Sequence, residues 1–169
     1  IPVENGDLAS GLQGEGRMAE PEHIIEFIKD SFFLTRRLAG KKAMVTAGPT
    51  YEPLDPVRFI GNYSSGKMGV AIARELQNRG AEVTLILGPS SLAVSVAGIK
   101  LVRVTTAEEM YTACNEIFEK SDIAVIAAAV ADYTPLQKAR KKIKKKEEAL
   151  TLELTKTKDI LKTLGGKKK

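Results

Sequence analysis

The sequence predicts an α/β fold, a doubly wound and mainly parallel Rossmann-like sheet with helices on both faces. Short apolar segments alternate with amphipathic ones along residues 43–128, in the order strand, helix, strand, strand, helix, strand. The segment Ile123–Ala128 is apolar throughout, which is typical of a parallel strand covered on both faces. Glycine–proline pairs follow the first two apolar segments, as expected where a strand ends in a loop.

The N-terminal part of the chain is predicted to contain one helix. Residues 1–19 are rich in glycine and have neither a helical nor a strand period, so a loop is expected. The helix begins at Glu20-Pro21, because proline suits the first helical turn, and runs to about Leu38, before Gly40. Its predicted apolar face consists of Ile24, Ile25, Ile28 and Phe32.

The body of the chain is predicted to hold the sheet and its crossover helices. The predicted strands are residues 43–47, 82–87, 100–104 and 123–128. Residues 49–65 contain three prolines and are predicted to form a long loop. A helix then begins at Gly66 or Lys67, and Gly80 provides its left-handed C-cap.

Two further patterns lie in the second half of the chain. Thr105-Thr106-Ala107-Glu108 matches a capping box, which predicts the start of another helix. Residues 150–155 alternate between apolar and polar side chains, so a half-buried strand near a sheet edge is expected. A short last helix is predicted over Thr157–Leu164.

The composition is that of an ordinary soluble globular protein, with 43% hydrophobic and 28% charged residues among 169. The longest apolar run, Ile123–Ala131, is too short to span a bilayer, and no basic n-region of a signal peptide opens the chain. Cys114 is the single cysteine, which excludes an intrachain disulfide. A cytoplasmic location and no membrane partner are therefore expected.

The positive charge is concentrated in one segment. The net charge is +5, but residues 138–146 hold seven basic residues and no acidic one. Without this run the rest of the chain carries a net negative charge, which argues against a nucleic-acid partner. Such a run is a solvated face, a disordered tail, or a flap that neutralises a nucleoside triphosphate and its departing pyrophosphate.

The segment GNYSSGKMG begins with a partial P-loop. Residues 61–67 fit for seven positions, but the eighth, Met68, has no hydroxyl for Mg²⁺, and the segment lies far from its strand. A true P-loop is thus disfavoured. A phosphate or carboxylate site at a helix start stays open, with the residues Gly48, Ser64, Ser65, Gly66 and Lys67. The alternative is that Ser65 caps the helix and the glycines allow close packing.

Ligands of doubly wound sheets bind outside the carboxyl ends of the strands. That rule selects as the functional rim Ala47–Pro49, Gly88–Ser90 and Ala128–Tyr133. Asn62 is either a turn residue or an amide directed at this rim. Asp132 either holds a ribose hydroxyl or a metal ion, or caps a turn.

Several long motifs resemble one family. VTAGPTYEPLDPVRFIGNYSSGKMG, AAVADY, KIKK and TKTKDIL have the order and spacing of phosphopantothenoylcysteine synthetase, in most bacteria the C-terminal half of a bifunctional coenzyme A biosynthesis flavoprotein. The resemblance covers Lys42 to the end. GDLASGLQGEGRMAEP resembles the closing segment of the decarboxylase half. The resemblance implies a decarboxylase remnant with a linker helix in residues 1–40 and a synthetase domain in residues 41–169, which ends before the family's last part.

The resemblance implies a CTP-dependent ligase. Such an enzyme activates the carboxylate of 4′-phosphopantothenate as an acyl-cytidylate, which the amine of cysteine then attacks. Mg²⁺ is expected with CTP, and FMN only in the decarboxylase part. The resemblance also implies a homodimer through the synthetase domain.

Site roles follow from the same resemblance. Asn62 would stabilise the intermediate, and Lys142, the first residue of the motif Lys142-Ile143-Lys144-Lys145, would contact phosphate. The nucleotide would be held by backbone groups of Ile126, Ala127 and Ala128, by the side chain of Asp132, and by a cytosine pocket of Lys158, Asp159, Ile160 and Leu161. Metal ligands are not assigned.

Two positions depart from the family pattern. The family commonly has proline where Lys158 stands, so a less rigid loop is expected. Ser10 stands where decarboxylases often have a proton-donating cysteine, so decarboxylase activity is not expected of this chain.

Two other classes of protein compete with the ligase. An NAD(P)-dependent reductase of the short-chain type is suggested by VAIARELQNRGAEV, but the tight glycine turn and the Tyr-x-x-x-Lys pair are absent. A nonenzymatic nucleic-acid-binding module could use the basic run, but that run lacks interleaved aromatic residues.

Overall fold

The computed structural model describes residues 1–33, 36–92, 98–144 and 149–167. The chain divides into two compact units, Ile1–Arg36 and Arg37–Lys169. No helix in the described residues is long and apolar enough to cross a membrane.

The first unit contains a hairpin where a loop was predicted. Strands β1 (Glu4–Asp7) and β2 (Gln13–Arg17) pair antiparallel. The turn between them is closed by backbone hydrogen bonds from Leu8 to Leu12 and from Gly11 to Leu8. The loop prediction was wrong. Backbone hydrogen bonds form this hairpin, and its strands carry no alternating pattern of side chains from which they could be predicted.

The helix of the first unit is shorter than predicted. Helix α1 (Pro21–Ile28) continues as a π-helical turn, Lys29–Phe33. None of the described residues of α1 is buried within this unit, and Ile25 is 52% exposed. Most of the predicted apolar face, namely Ile25, Ile28 and Phe32, is therefore exposed, whereas Ile24 is half-buried.

The elements of the second unit are, in chain order, β3 (Lys42–Ala47), β4 (Tyr51–Asp55), β5 (Arg58–Gly61), α2 (Lys67–Asn78), β6 (Glu82–Leu87), β7 (Lys100–Arg103), α3 (Ala107–Phe118), β8 (Ile123–Ile126), β9 (Tyr133–Pro135), β10 (Leu154–Lys156) and α4 (Ile160–Lys167). The four predicted strands of the sheet are all present.

These four strands form a parallel sheet in the order β7-β6-β3-β8. The chain moves outward from β3 to β6 and β7, and then returns to the other side of β3 as β8. The winding therefore reverses between β3 and β8, which is where doubly wound sheets bind ligands. The predicted fold class is confirmed.

Helices cover both faces of the sheet. On one face, Val70 and Ala73 of α2 pack with Val45 and Leu85. On the other face, Met110 and Cys114 of α3 and Leu164 of α4 pack with Met44 and Ile86. Burial raises the pKa of the Cys114 thiol to about 12, so this cysteine is a core residue rather than a nucleophile.

The predicted long loop contains a second hairpin. Strands β4 and β5 pair antiparallel, and the rings of Tyr51 and Phe59 stack with their centroids 3.9 Å apart. The turn at Pro56-Val57 is closed by Asp55, whose side chain accepts hydrogen bonds from the N–H groups of Val57 and Arg58. The sequence did not predict this hairpin, because the three prolines in the segment weaken the strand pattern.

Several boundaries differ from the predictions. The capping box is shifted by one residue, since Thr106 is the N-cap and exchanges hydrogen bonds with Glu109. The strand predicted at 150–155 is reduced to Leu154–Lys156, which pairs with β9 and is exposed. The last helix begins at Ile160 rather than Thr157. Gly80 has a φ of +94°, as predicted for the end of α2.

Candidate functional site

The loops that follow β3, β6 and β8 meet at one edge of the sheet. A parallel bridge joins Pro49 and Ala129, and the N–H of Ala129 donates to the carbonyl of Gly48 at 2.9 Å. Gly48 has a φ of +80°, and a Cβ added there would lie 3.3 Å from the backbone of Gly88. The three predicted rim segments are thus brought together by direct contact of backbones.

Two buried threonine hydroxyls fix the segment after β8. Thr46 Oγ1 accepts hydrogen bonds from the N–H groups of Ala127 at 3.1 Å and Ala128 at 3.2 Å. Thr50 Oγ1 accepts one from Ala131 at 2.9 Å. Since the N–H groups of Ala127 and Ala128 are engaged inside the protein, a ligand contact through their backbone would use the carbonyl oxygens.

Replacing Thr46 by valine is expected to lower the free energy of unfolding by about 2 kcal/mol, because two N–H groups lose their acceptor while the side-chain volume is kept. The expected drop in melting temperature is about 4–8 °C. Thermal unfolding by circular dichroism measures it. Thr112→Val, on the exposed side of α3, is the matched control and should change stability by less than about 0.5 kcal/mol. Equal effects of the two substitutions would contradict the assigned role of Thr46.

A cavity of about 570 Å³ opens beside this segment, a volume within the usual range for small-molecule sites. Its lining residues are Ile126, Ala128, Val130, Asp132, Tyr133, Lys156, Thr157, Lys158, Asp159, Ile160 and Leu161. They come from two stretches of chain more than twenty residues apart. Of the predicted nucleotide-binding residues, the described lining contains all but Ala127 and Lys142.

Thr157 ties the second stretch to the first. Its N–H donates to the carbonyl of Asp132 at 2.9 Å, and its hydroxyl donates to the carbonyl of Ala131 at 2.6 Å. The antiparallel pairing of β9 with β10 continues this connection. The cavity wall is therefore held by backbone bonds, and the exposed carboxylate of Asp132 lies on the wall.

Lys158 is held from outside the cavity. Its Nζ donates to Glu108 Oε1 at 2.6 Å and lies 4.8 Å from the centroid of the Tyr111 ring. The hydrogen bond to Glu108, together with the charge of that carboxylate, raises the pKa of Lys158. These two contacts with α3 restrain the loop at the position where the family pattern has proline.

Asn62 faces the rim. Its Nδ2 donates to the carbonyl of Ala129 at 2.9 Å, which joins the end of β5 to the loop after β8. This contact fixes the orientation of the amide and favours the second of the two interpretations of Asn62, an amide directed at the rim.

The predicted anion loop precedes α2. Gly66 is the N-cap, with a φ of +79°, and a Cβ added there would lie 3.0 Å from Gly48 N. Ser64 Oγ accepts from Gly66 N at 3.3 Å, and Ser65 Oγ accepts from Lys67 N at 3.4 Å. The predicted residues thus lie together, with both serine hydroxyls engaged with the backbone. Anion binding there stays a prediction.

The basic segment lies along the β4–β5 hairpin. The N–H of Ala139 donates to the carbonyl of Leu54 at 2.9 Å, and the N–H of Ile143 donates to Asp55 Oδ2 at 3.0 Å. Lys142 and Lys144 are exposed, whereas Ile143 is half-buried. Lys145, the last residue of the predicted motif, lies outside the described residues.

Sequence reasoning missed the residues that position this site, namely Thr46, Thr50, Asp55, Arg58 and Thr157. Only Asp55-Pro56-Val57-Arg58 carried a signal, because aspartate followed by proline is typical of the first half of a type I turn. The described residues contain no group of three or more His, Cys, Asp or Glu side chains arranged to hold a metal ion.

A parallel sheet with a cavity at its switch point defines a Rossmann-like α/β domain. The chain belongs to the family described as the DNA/pantothenate metabolism flavoprotein C-terminal domain, whose model matches residues 38–169.

Named relatives are similar to the chain over its full length. A cysteine/cysteine sulfinic acid decarboxylase from an unidentified prokaryote is 49% identical, over 100% of this chain and 48% of that protein. The coenzyme A biosynthesis bifunctional protein CoaBC of Bacillus subtilis is 44% identical, over 100% of this chain and 42% of that protein. The chain thus spans about half the length of the curated relatives it matches.

Solved structures agree with the fold. The crystal structure of the C-terminal domain of CoaBC is 43% identical, with a TM-score of 0.68, and the match covers 78% of this chain and 61% of that one. The DNA/pantothenate metabolism flavoprotein from Streptococcus pneumoniae is 26% identical, also with a TM-score of 0.68, over 75% of this chain and 65% of that one.

Proposed function

We propose that this chain carries the site of a CTP-dependent phosphopantothenate–cysteine ligase of coenzyme A biosynthesis. One observation carries the proposal: the segments 126–133 and 156–161, which resemble the nucleotide-binding motifs of the synthetase family, line one cavity at the switch point of the sheet. The similarity to CoaBC supports the assignment to coenzyme A biosynthesis.

The proposed reaction joins two substrates through a mixed anhydride. A carboxylate oxygen of 4′-phosphopantothenate attacks the α-phosphorus of CTP, and pyrophosphate leaves. The amine of cysteine then attacks the acyl carbon, the bond to CMP breaks, and the amine gives up a proton to form the amide. A carboxylate is a poor electrophile, and the anhydride supplies a good leaving group for the second step.

The proposed roles assign binding and charge neutralisation to separate elements. The loop of Lys158–Leu161 would surround cytosine, and Asp132 would accept a hydrogen bond from the nucleotide. Lys142 would contact the phosphates, where its charge favours both the bound triphosphate and the departing pyrophosphate. Asn62, oriented by Ala129, would present its amide to the acyl-cytidylate.

Mg²⁺ would enter this site as a companion of the triphosphate. Proteins commonly bind Mg²⁺ through one or two carboxylates together with substrate phosphates, and Asp132 is an exposed carboxylate on the cavity wall. When bound, Mg²⁺ neutralises phosphate charge. The proposal also includes a homodimer through the second unit, and assigns FMN to the decarboxylase part of such bifunctional proteins.

Titration calorimetry with CTP, ATP, GTP, UTP and NADPH, each with Mg²⁺, tests the proposed function. We expect CTP to bind at least tenfold more tightly than ATP, because the loop 158–161 would contact the base, and tenfold corresponds to about 1.4 kcal/mol. Equal affinity for CTP and ATP would contradict the cytosine pocket. A preference for NADPH would favour a reductase instead.

A second activity is suggested by the name of one relative. The protein that is 49% identical is a cysteine/cysteine sulfinic acid decarboxylase. The resemblance of residues 6–21 to the end of a decarboxylase half is consistent with that name, but Ser10 lies in the exposed turn between β1 and β2 and replaces the expected cysteine. Release of CO₂ from cysteine by the 169-residue chain would favour this second activity.

A further inference from the structure

Asp55 lies at the centre of a hydrogen-bond cluster at the tip of the β4–β5 hairpin. Its side chain is completely buried, and Oδ1 accepts from the N–H groups of Val57 at 2.9 Å and Arg58 at 3.0 Å. Oδ2 accepts from the guanidinium of Arg58, with Nε at 3.0 Å. Hydrogen bonding by Arg58 holds the pKa of this carboxyl well below its usual range, so the pair is charged at neutral pH.

The side chains of Asp55 and Arg58 also bind the basic segment, through the backbone of Ile143. The N–H of Ile143 donates to Asp55 Oδ2 at 3.0 Å, and Arg58 Nη2 donates to the carbonyl of Ile143 at 2.9 Å. Both backbone groups of Ile143 are therefore bound, so the peptide planes on its two sides are fixed. The bond from Ala139 to Leu54 provides a second attachment four residues earlier.

These contacts go beyond what the hairpin needs. The turn is already closed by Asp55 with Val57 and Arg58, and the strands are paired without Ile143. A segment with this density of lysines repels itself and would otherwise sample many conformations. Both neighbours of the gripped residue, Lys142 and Lys144, are exposed.

We propose that Asp55 and Arg58 are positioning residues that clamp Ile143 and so direct Lys142 at the phosphates of the bound nucleotide. This inference rests on the proposed function for the role of Lys142, but not for the clamp itself. The clamp converts an undirected cationic run into a contact of defined direction. It acts through Lys142, and neither Asp55 nor Arg58 has to touch the nucleotide.

Limited trypsin digestion tests the clamp independently of any ligand. Arg58→Lys keeps the charge and a trypsin site but loses the planar fork that binds Asp55 and Ile143 together. We expect cleavage within residues 138–144 to become about tenfold faster, because opening of the segment costs about 1.4 kcal/mol less. Asp55→Asn should act in the same direction. Arg79→Lys, which alters an ion pair with Glu75 on α2, is the matched control and should leave this rate unchanged.

A double-mutant cycle tests whether the clamp acts through Lys142. Calorimetry with inorganic tripolyphosphate is the probe, since it reports phosphate binding without a base and stays informative if CTP preference fails. Arg58→Lys should weaken binding about five- to tenfold in the native sequence, and have almost no effect in a Lys142→Gln background. An unchanged trypsin rate would overturn the clamp. Faster cleavage with additive losses, or with no loss of tripolyphosphate binding, would overturn the positioning of Lys142.

Discussion

Replacing Gly88 by alanine is expected to lower the free energy of unfolding by at least about 3 kcal/mol and to disturb the rim of the site. A Cβ at this position would lie 1.8 Å from the carbonyl oxygen of Pro49, which belongs to backbone and cannot rotate away. The loops after β3 and β6 would have to separate, and Pro49 would pull on its bridge to Ala129. Thermal unfolding should show a drop of about 6–12 °C in melting temperature.

Gly165→Ala is the matched control for this substitution. Gly165 lies inside α4, and a Cβ there would meet none of the described atoms within 4 Å. Alanine is a better helix former than glycine by about 1 kcal/mol, so this variant should be more stable than the native chain. If the Gly88→Ala variant has the same melting temperature as the native chain, the close approach of the two loops is not a feature of the folded protein in solution.

The sheet and its rim could be predicted because both depend on local sequence. Apolar runs of strand length, such as Ile123–Ala128, mark buried parallel strands, and glycine–proline pairs mark their ends. The parallel direction of β3 and β6, and of β7 and β8, follows from the crossover helices α2 and α3 between them. These signals can be found without knowing which segments meet in space. The carboxyl edge of the sheet could therefore be predicted from the sequence.

The hairpins could not be predicted because their stability comes from contacts between residues that no period connects. β4 and β5 are held by the stacked rings of Tyr51 and Phe59 and by the carboxylate of Asp55. Residues 150–155 show the converse case. Their alternation suggested a half-buried strand, but Leu150 is 55% exposed and only Leu154–Lys156 pairs. Alternation shows that one face is apolar and not whether anything covers it.

The residues that position the site could not be predicted, for a related reason. Thr46 lies in a strand, where threonine is an ordinary β-branched residue, and its partners Ala127 and Ala128 are more than eighty positions away. Part of the cavity lining, from Ala128 to Tyr133, belongs to the rim that the strand ends predicted, whereas the lining residues of the stretch 156–161 were accessible only through the resemblance to the synthetase family. The predicted capping box began at Thr105 and used Glu108. In the structure the carboxylate of Glu109 accepts from the N–H groups of Thr105 and Thr106, and Thr106 is the N-cap.

Replacement of the exposed Lys142 is the substitution with the largest expected effect on nucleotide binding. Lys142→Gln is expected to weaken binding of CTP with Mg²⁺ about ten- to hundredfold, because a charge-assisted contact contributes roughly 1.5–3 kcal/mol. The expected loss depends on the direction of the Lys142 side chain as well as on its charge. Both backbone groups of the neighbouring Ile143 are hydrogen-bonded, which restricts the backbone beside Lys142. Calorimetry at fixed ionic strength measures the change.

Two lysine variants separate a directed contact from a diffuse field. Lys120→Gln removes the same charge near the amino ends of the strands, at the edge opposite the cavity, and should change affinity less than twofold. Lys141→Gln removes a charge one residue from Lys142 and should cost about two- to threefold, as a screened charge does. The loss for Lys142 should persist when salt is raised from low to physiological concentration, whereas the loss for Lys141 should shrink within the shorter Debye length. Equal and salt-sensitive losses for Lys141 and Lys142 would show that the basic run attracts triphosphate only through its total charge.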